Sequence, residues 1–199
     1  MESEPYVSPI LALAALAVVF AALLLHMFLE FPPAARLRGL VEGHAQKLML
    51  AVALTATVAS LYYSEVVSFI PCEFCWYQRI MMYPLAVLLV VGVATRTRLQ
   101  PRFLVALAGI GLCLSIYHYQ LQLFPEQART CGENGTVSCT DRNVEEFVVV
   151  SIPFMAGAGF FAVLLLQLAE WRAARLASRW AAPEGEGLDD VSQRGPARA

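Results

Sequence analysis

Charge is what this chain has least of. Only 15% of its 199 residues are Asp, Glu, Lys or Arg, against 58% that are hydrophobic, and the mean hydropathy is +0.59. Soluble domains carry about 25% charged residues, so a water-soluble globule of this length is excluded. The net charge is −2 and no basic tract is present, which excludes a nucleic-acid surface. No internal repeat is evident. The opening "MESEPYV" has no Lys or Arg and so lacks the basic n-region of a cleaved signal peptide. The apolar stretch behind it is longer than a typical h-region, which predicts a retained helix.

What the chain has instead is apolar length. Five runs stand out, at 8–29, 48–64, 76–95, 103–119 and 147–169. Each is near the ~20 residues that a helix needs to cross ~30 Å of hydrocarbon, the second and fourth at the short limit. Backbone groups in lipid must be paired within their own segment, so the predicted form is helical, an all-α integral membrane protein. The tail "APEGEGLDDVSQRGPARA" is rich in Gly, Pro and charge and is expected to be disordered. The predicted organisation is therefore 1–45, an N-terminal transmembrane helix with its connection; 46–169, a four-helix unit; and 170–199, the tail.

The few cations are distributed unevenly. Arg36, Arg38 and Lys47 lie in 32–47, Arg96, Arg98 and Arg102 in 95–102, and Arg172, Arg175 and Arg179 follow the last run. The other connections hold none in 1–7 or 65–75, and only Arg129 and Arg142 in 120–146. The positive-inside bias then puts the N-terminus outside and the C-terminus in the cytosol. Both outside loops contain cysteines, and no cytosolic loop does.

Five cysteines is an odd number, so at most two pairs form. Cys72 and Cys75 follow Pro71, a residue favoured in a first helical turn. Thiols at a helix N-terminus meet exposed N–H groups and the positive dipole end, which favour thiolates. Arg79 lies four residues beyond Cys75 on the same helix face, where its charge favours a Cys75 thiolate. A structural disulfide and snorkelling of Arg79 are the plainer readings of the same residues. The second pair, Cys131 and Cys139, brackets Asn134-Gly135, a strong turn signal that folds the segment back and brings the two thiols within bridging reach. The loop is polar and expected to be exposed. A disulfide there serves either as a staple or as an entry point for a soluble thiol protein. The C-x₇-C spacing is loose for structural zinc, so no metal is expected. Cys113 reads as a small packing residue inside its helix. His118, near the outer end of the fourth run, has a depth similar to that of Arg79, and the two are candidates to line one pocket.

With those residues in view, "CEFCWYQR", "YHYQLQLFPEQARTC" and "SCTDRNVEEFVVVSIPF" resemble the DsbB family of bacterial disulfide-generating membrane proteins. The short loop "CGENGTVSC" is closer to its BdbC-type branch. The resemblance covers roughly 46–169 and implies a four-helix transmembrane bundle of DsbB type, with one extra N-terminal transmembrane helix outside the pattern. It implies a multi-pass protein of the bacterial inner (cytoplasmic) membrane whose two cysteine pairs face outside. A DsbA- or BdbD-like thioredoxin-fold partner would deliver electrons to Cys131–Cys139, with Cys131 forming the mixed disulfide. Exchange would pass them to Cys72–Cys75, and Cys75 would hand them to ubiquinone or menaquinone from the membrane pool. A quinone ring needs a flat apolar slot, which Phe74, Trp76 and Met82 are expected to help line, with Arg79 and His118 the candidate donors to its carbonyl oxygens. The vitamin K epoxide reductase family shares this chemistry but places its loop cysteines before the C-x-x-C, the reverse of the order here. A stapled or zinc-holding scaffold is the non-enzymatic alternative.

Overall fold

The computed structural model describes residues 35–127, 138–140, 145–146 and 150–181, with 9–10, 12–17, 19–21 and 23 of the N-terminal run. Cys131, the Asn134-Gly135 turn and the 182–199 tail lie outside the described residues. Four long helices form the framework: α1 (Ala35–Leu61), α2 (Glu73–Ala94), α3 (Pro101–Leu123) and α4 (Ile152–Ala181). Each holds a stretch long and apolar enough to cross a membrane, namely His44–Val66, Glu73–Ala94, Pro101–Leu123 and Ile152–Arg175. The second and fourth apolar runs looked short because each helix continues through polar residues at its ends. His44 and Lys47 lie at the start of the first of these spans, and the span ends in a π-helical turn, Tyr62–Val66. The described residues of the N-terminal run are helical as well.

The helices pack in a ring, α1 on α2, α2 on α3, α3 on α4 and α4 back on α1, with little contact between α2 and α4. Their shared core contains Met49, Met82, Leu85, Leu89, Leu104, Phe160 and Val163. Gly111 on α3 lies against the ring of Phe160, where a Cβ would overlap it. A small residue is what lets α3 and α4 approach so closely. The outward faces are as apolar as the core: Val58, Val87, Phe103, Ile110 and Ile116 are all exposed. Helices that are hydrophobic all round have lipid, not water, as their surroundings.

Both ends of α2 are defined by capping. Cys72, in an extended conformation, is the N-cap, and its sulfur accepts from the Cys75 N–H. The helix thus starts at Glu73, two residues beyond Pro71, because the Cys72 thiol itself does the capping. At the far end Arg96 takes a left-handed φ of 54°, Thr97 N–H donates to Gly92 O and Arg96 N–H to Val93 O. This is a Schellman closure with arginine in place of glycine. Residue 101 then starts α3 with proline at its first turn. Beyond α3 a 3₁₀ turn, Pro125–Gln127, leads to a minimal antiparallel pair, Glu145–Glu146 with Val150–Ser151.

Candidate active site

Cys72 and Cys75 are free thiols whose sulfurs lie 2.9 Å apart. Helical geometry explains the approach: an N-cap and the third helical residue share one side of the first turn. His118 reaches this pair from α3, where it is 2% exposed. Its Nε2 is 3.6 Å from Cys72 Sγ, and its Nδ1 is 3.4 Å from the Gln78 amide nitrogen. An amide nitrogen only donates, so Nδ1 accepts and the ring proton sits on Nε2, facing the sulfur. The ring of Phe74 flanks His118 at 5.6 Å.

The donors expected around Cys75 thus gather on Cys72. Its thiol is pulled down to about 4 from an ordinary 9.0, chiefly by the Cys75 thiol hydrogen bond, then by His118 and the Cys75 backbone N–H, with burial opposing. Arg79 meanwhile turns to α1: its Nε donates to Ser60 Oγ and its Nη2 to Ser60 O, both at 2.9 Å. Its guanidinium also lies 5.4 Å over the Trp76 ring.

These groups border one cavity of about 120 Å³. Cys72, Cys75, Arg79 and His118 line it together with Ser60, Tyr63, Gln78, Tyr83 and Gln122 on its polar side, and with Met82, Ile152, Pro153, Met155 and Phe160 on its apolar side. Of the three slot residues expected from the sequence, Met82 is in the wall, whereas Phe74 and Trp76 are not. Each is one residue from Cys75, hence turned about 100° from it on the helix; Phe74 packs against Tyr117 and Trp76 is half exposed to the lipid side.

Ser138 also lines the cavity, so the segment next to the loop cysteine folds over the C-x-x-C end. Cys139 is disulfide-bonded and only 1% exposed. The loop was expected to hold its cysteines in the open; packing of 138–140 against the bundle buries this one. Cys113 is exposed on α3, facing outward rather than packing inside. Gln78, Gln122 and Tyr83 are the site residues that the sequence reading missed. Two glutamines within membrane-spanning stretches were the available signal, since such polar groups are costly in lipid.

Cys72 Sγ, Cys75 Sγ and His118 Nε2 lie within 4.8 Å of one another. Two thiolates on one zinc stand about 3.8 Å apart, from Zn–S bonds near 2.3 Å in a tetrahedron. The 2.9 Å separation here suits sulfurs that bond to each other. The fold and this pair define a class: a multi-span membrane protein with a dithiol at the mouth of a mixed polar and apolar cavity.

Comparison with known proteins narrows the class. Residues 44–170 match the model of the family "Disulfide bond formation protein DsbB", and the chain belongs to that family. A probable disulfide formation protein of Oceanobacillus iheyensis is 43% identical over 132 residues, covering 62% of this chain and 88% of that protein. Disulfide bond formation protein C of Bacillus subtilis is 40% identical over 117 residues, covering 57% and 83%. A probable disulfide formation protein C of Bacillus cereus is 40% identical over 108 residues, covering 54% and 78%. No solved structure matches the chain. The matched segment takes in the first three spanning stretches whole and the fourth as far as Glu170, and excludes the N-terminal run and the tail.

Proposed function

We propose that this protein is a quinone-coupled thiol oxidase that reoxidises a thioredoxin-fold disulfide donor outside the cytoplasm. The observation that carries the reading is the free Cys72–Cys75 pair opening onto a cavity that Arg79 and His118 also line. In the first exchange the partner's two thiols become a disulfide while the Cys131–Cys139 bond opens, moving two electrons. In the second, Cys131 and Cys139 regain their disulfide as the Cys72–Cys75 bond is reduced to two thiols. The Ser138 segment at the cavity supports exchange over this short range, and the N–H groups on Cys72 Sγ favour its thiolate, which makes it a good leaving sulfur when the Cys72–Cys75 bond is opened.

Reclosure of Cys72–Cys75 releases two electrons and two protons, which a quinone would accept when bound. The residues fit such a group: an apolar wall of Met82, Ile152 and Phe160 suits a flat ring, and Arg79 brings a donor to its edge, while the His118 N–H stays on Cys72 Sγ. Arg79 would stabilise negative charge developing on a carbonyl oxygen, with its guanidinium held in place by Ser60. We further propose that both cysteine pairs and the N-terminus lie outside and the C-terminus in the cytosol, because the arginines of 95–102 and 172–179 sit at the opposite end from Cys72.

The test is anaerobic. Purified protein with an added quinone should oxidise a reduced thioredoxin-fold partner while quinol accumulates in equal amount. Partner oxidation that proceeds at the same rate with the quinone omitted would sink the proposal.

A further inference from the structure

The face of α2 that carries Cys75 and Arg79 continues to Tyr83. Positions 75, 79 and 83 are spaced four residues apart, so they stack along one side of the helix at about 6 Å per step. All three line the same cavity. Arg79 is anchored to Ser60 through two of its nitrogens. Tyr83 differs: its hydroxyl is buried and has no hydrogen-bond partner among the described residues. Buried hydroxyls are nearly always paired, because leaving one unpaired forfeits its hydration without return. An orphan of this kind in the wall of a cavity asks for a ligand that brings the acceptor.

We infer that Tyr83 is a second carbonyl-donor position, binding the oxygen of a para-quinone opposite the one that Arg79 serves. Tyr83 follows Arg79 on the same cavity wall, and Met82 and Phe160 supply apolar surface beside it. The Tyr83 O–H donates and the carbonyl oxygen accepts; no bond is made or broken. This inference rests on the quinone reading above and assigns a residue to the deep end of that site.

The experiment uses the full chain, purified and depleted of quinone, with a decyl-substituted benzoquinone and a short-chain naphthoquinone as probes. Thermal unfolding is followed against the concentration of each probe for the unaltered protein and for Tyr83→Phe, which keeps the ring and removes only the orphan hydroxyl. Without probe, Tyr83→Phe should unfold at the same temperature or slightly higher. With probe, it should need about tenfold more quinone for the same rise in midpoint, the scale of one neutral hydrogen bond. Quinone KM should rise by a similar factor while the KM for the protein partner stays fixed. Equal quinone dependence in the two proteins would overturn the inference, the hydroxyl then being served by water. A lower midpoint without probe and an unchanged quinone response would overturn it too, as a packing effect. If the unaltered protein neither binds nor reduces either quinone, the functional reading itself fails, and that result is distinct from the other two.

Discussion

At the Cys72 end of the bundle, polar side chains turn inward. Gln78, His118 and Gln122 are all buried, and Arg79 is drawn across to Ser60 on the neighbouring helix. At the other end, about 33 Å away along the 22 residues of α2, the arginines turn outward. Arg98 is 72% exposed and pairs with Glu170 at 3.4 Å, and Arg102 and Arg175 lie over the rings of Phe103 and Trp171. The same residue type is an interface anchor at one end and part of a cavity wall at the other. Polar groups that water could solvate need no further explanation. Polar groups placed inside an apolar bundle, each costly to bury, mark the end that the proposed function uses.

The comparison breaks most sharply at the cysteines. Cys139→Ser removes the loop disulfide and should reduce oxidation of the protein partner to the uncatalysed background, because the entry bond is gone. Cys72 and Cys75 remain intact, so a small dithiol should still support quinone reduction through them. Partner oxidation at the normal rate would make the loop bond only a staple. Next in size is Arg79→Ala. It removes a charged donor from the cavity wall and should raise quinone KM about 10- to 100-fold, the scale of a hydrogen bond to a charged group. Arg79→Lys should recover part of this, since lysine keeps the charge but cannot hold both Ser60 atoms in one planar fork. Steady-state rates over a range of quinone concentrations check both variants, and an unchanged KM would leave Arg79 no more than a snorkelling anchor.

Much of this contrast was legible in the sequence, for identifiable reasons. The spanning helices follow from apolar length, and the candidate cysteine pairs were singled out by spacing. That Arg79 and His118 share a cavity followed from similar depth on neighbouring helices. What periodicity could not supply was the contact partner of each group. Arg79 was matched with Cys75 because the two are four residues apart, yet Ser60 on α1 holds its guanidinium. Cys72 rather than Cys75 collects N–H donors, because an N-cap faces the open amides of the first turn and also the neighbouring helix. Tyr83 escaped notice because a tyrosine in an apolar run reads as packing until its hydroxyl is found without a partner.

A smaller effect tests the acid–base side of the cysteine end. With Cys72 lowered to about 4 from 9.0, the folded reduced protein gives up this proton across a range where the unfolded chain keeps it. The resulting stability is therefore fully present above pH 9, declines as pH falls and is lost below about pH 4. Thiolate absorbance near 240 nm should rise around pH 4 in the reduced protein, and that step should vanish in Cys72→Ser. Cys75→Ala removes the largest contributor, so it should move the step upward more than His118→Ala does. A first thiolate step near pH 9 in the unaltered protein would contradict the donor geometry around Cys72.

The smallest effect is expected at the opposite end, and it separates the two uses of arginine. An exposed ion pair such as Arg98–Glu170 is worth about 0–1 kcal/mol, since water competes for both charges and the long side chains lose entropy in pairing. Arg98→Cys should therefore shift the unfolding midpoint little and leave quinone KM unchanged, in contrast to Arg79→Ala. The same variant tests the orientation proposed from the arginines. In reduced intact cells a membrane-impermeant thiol reagent should miss a cysteine at position 98 but reach the loop cysteines, after allowance for the burial of Cys139. Labelling at 98 with protection of Cys131 would invert the proposed topology. A quinone KM that moved as far with Arg98→Cys as with Arg79→Ala would mean that the two ends are coupled along α2, and the division between anchoring and chemistry would have to be withdrawn.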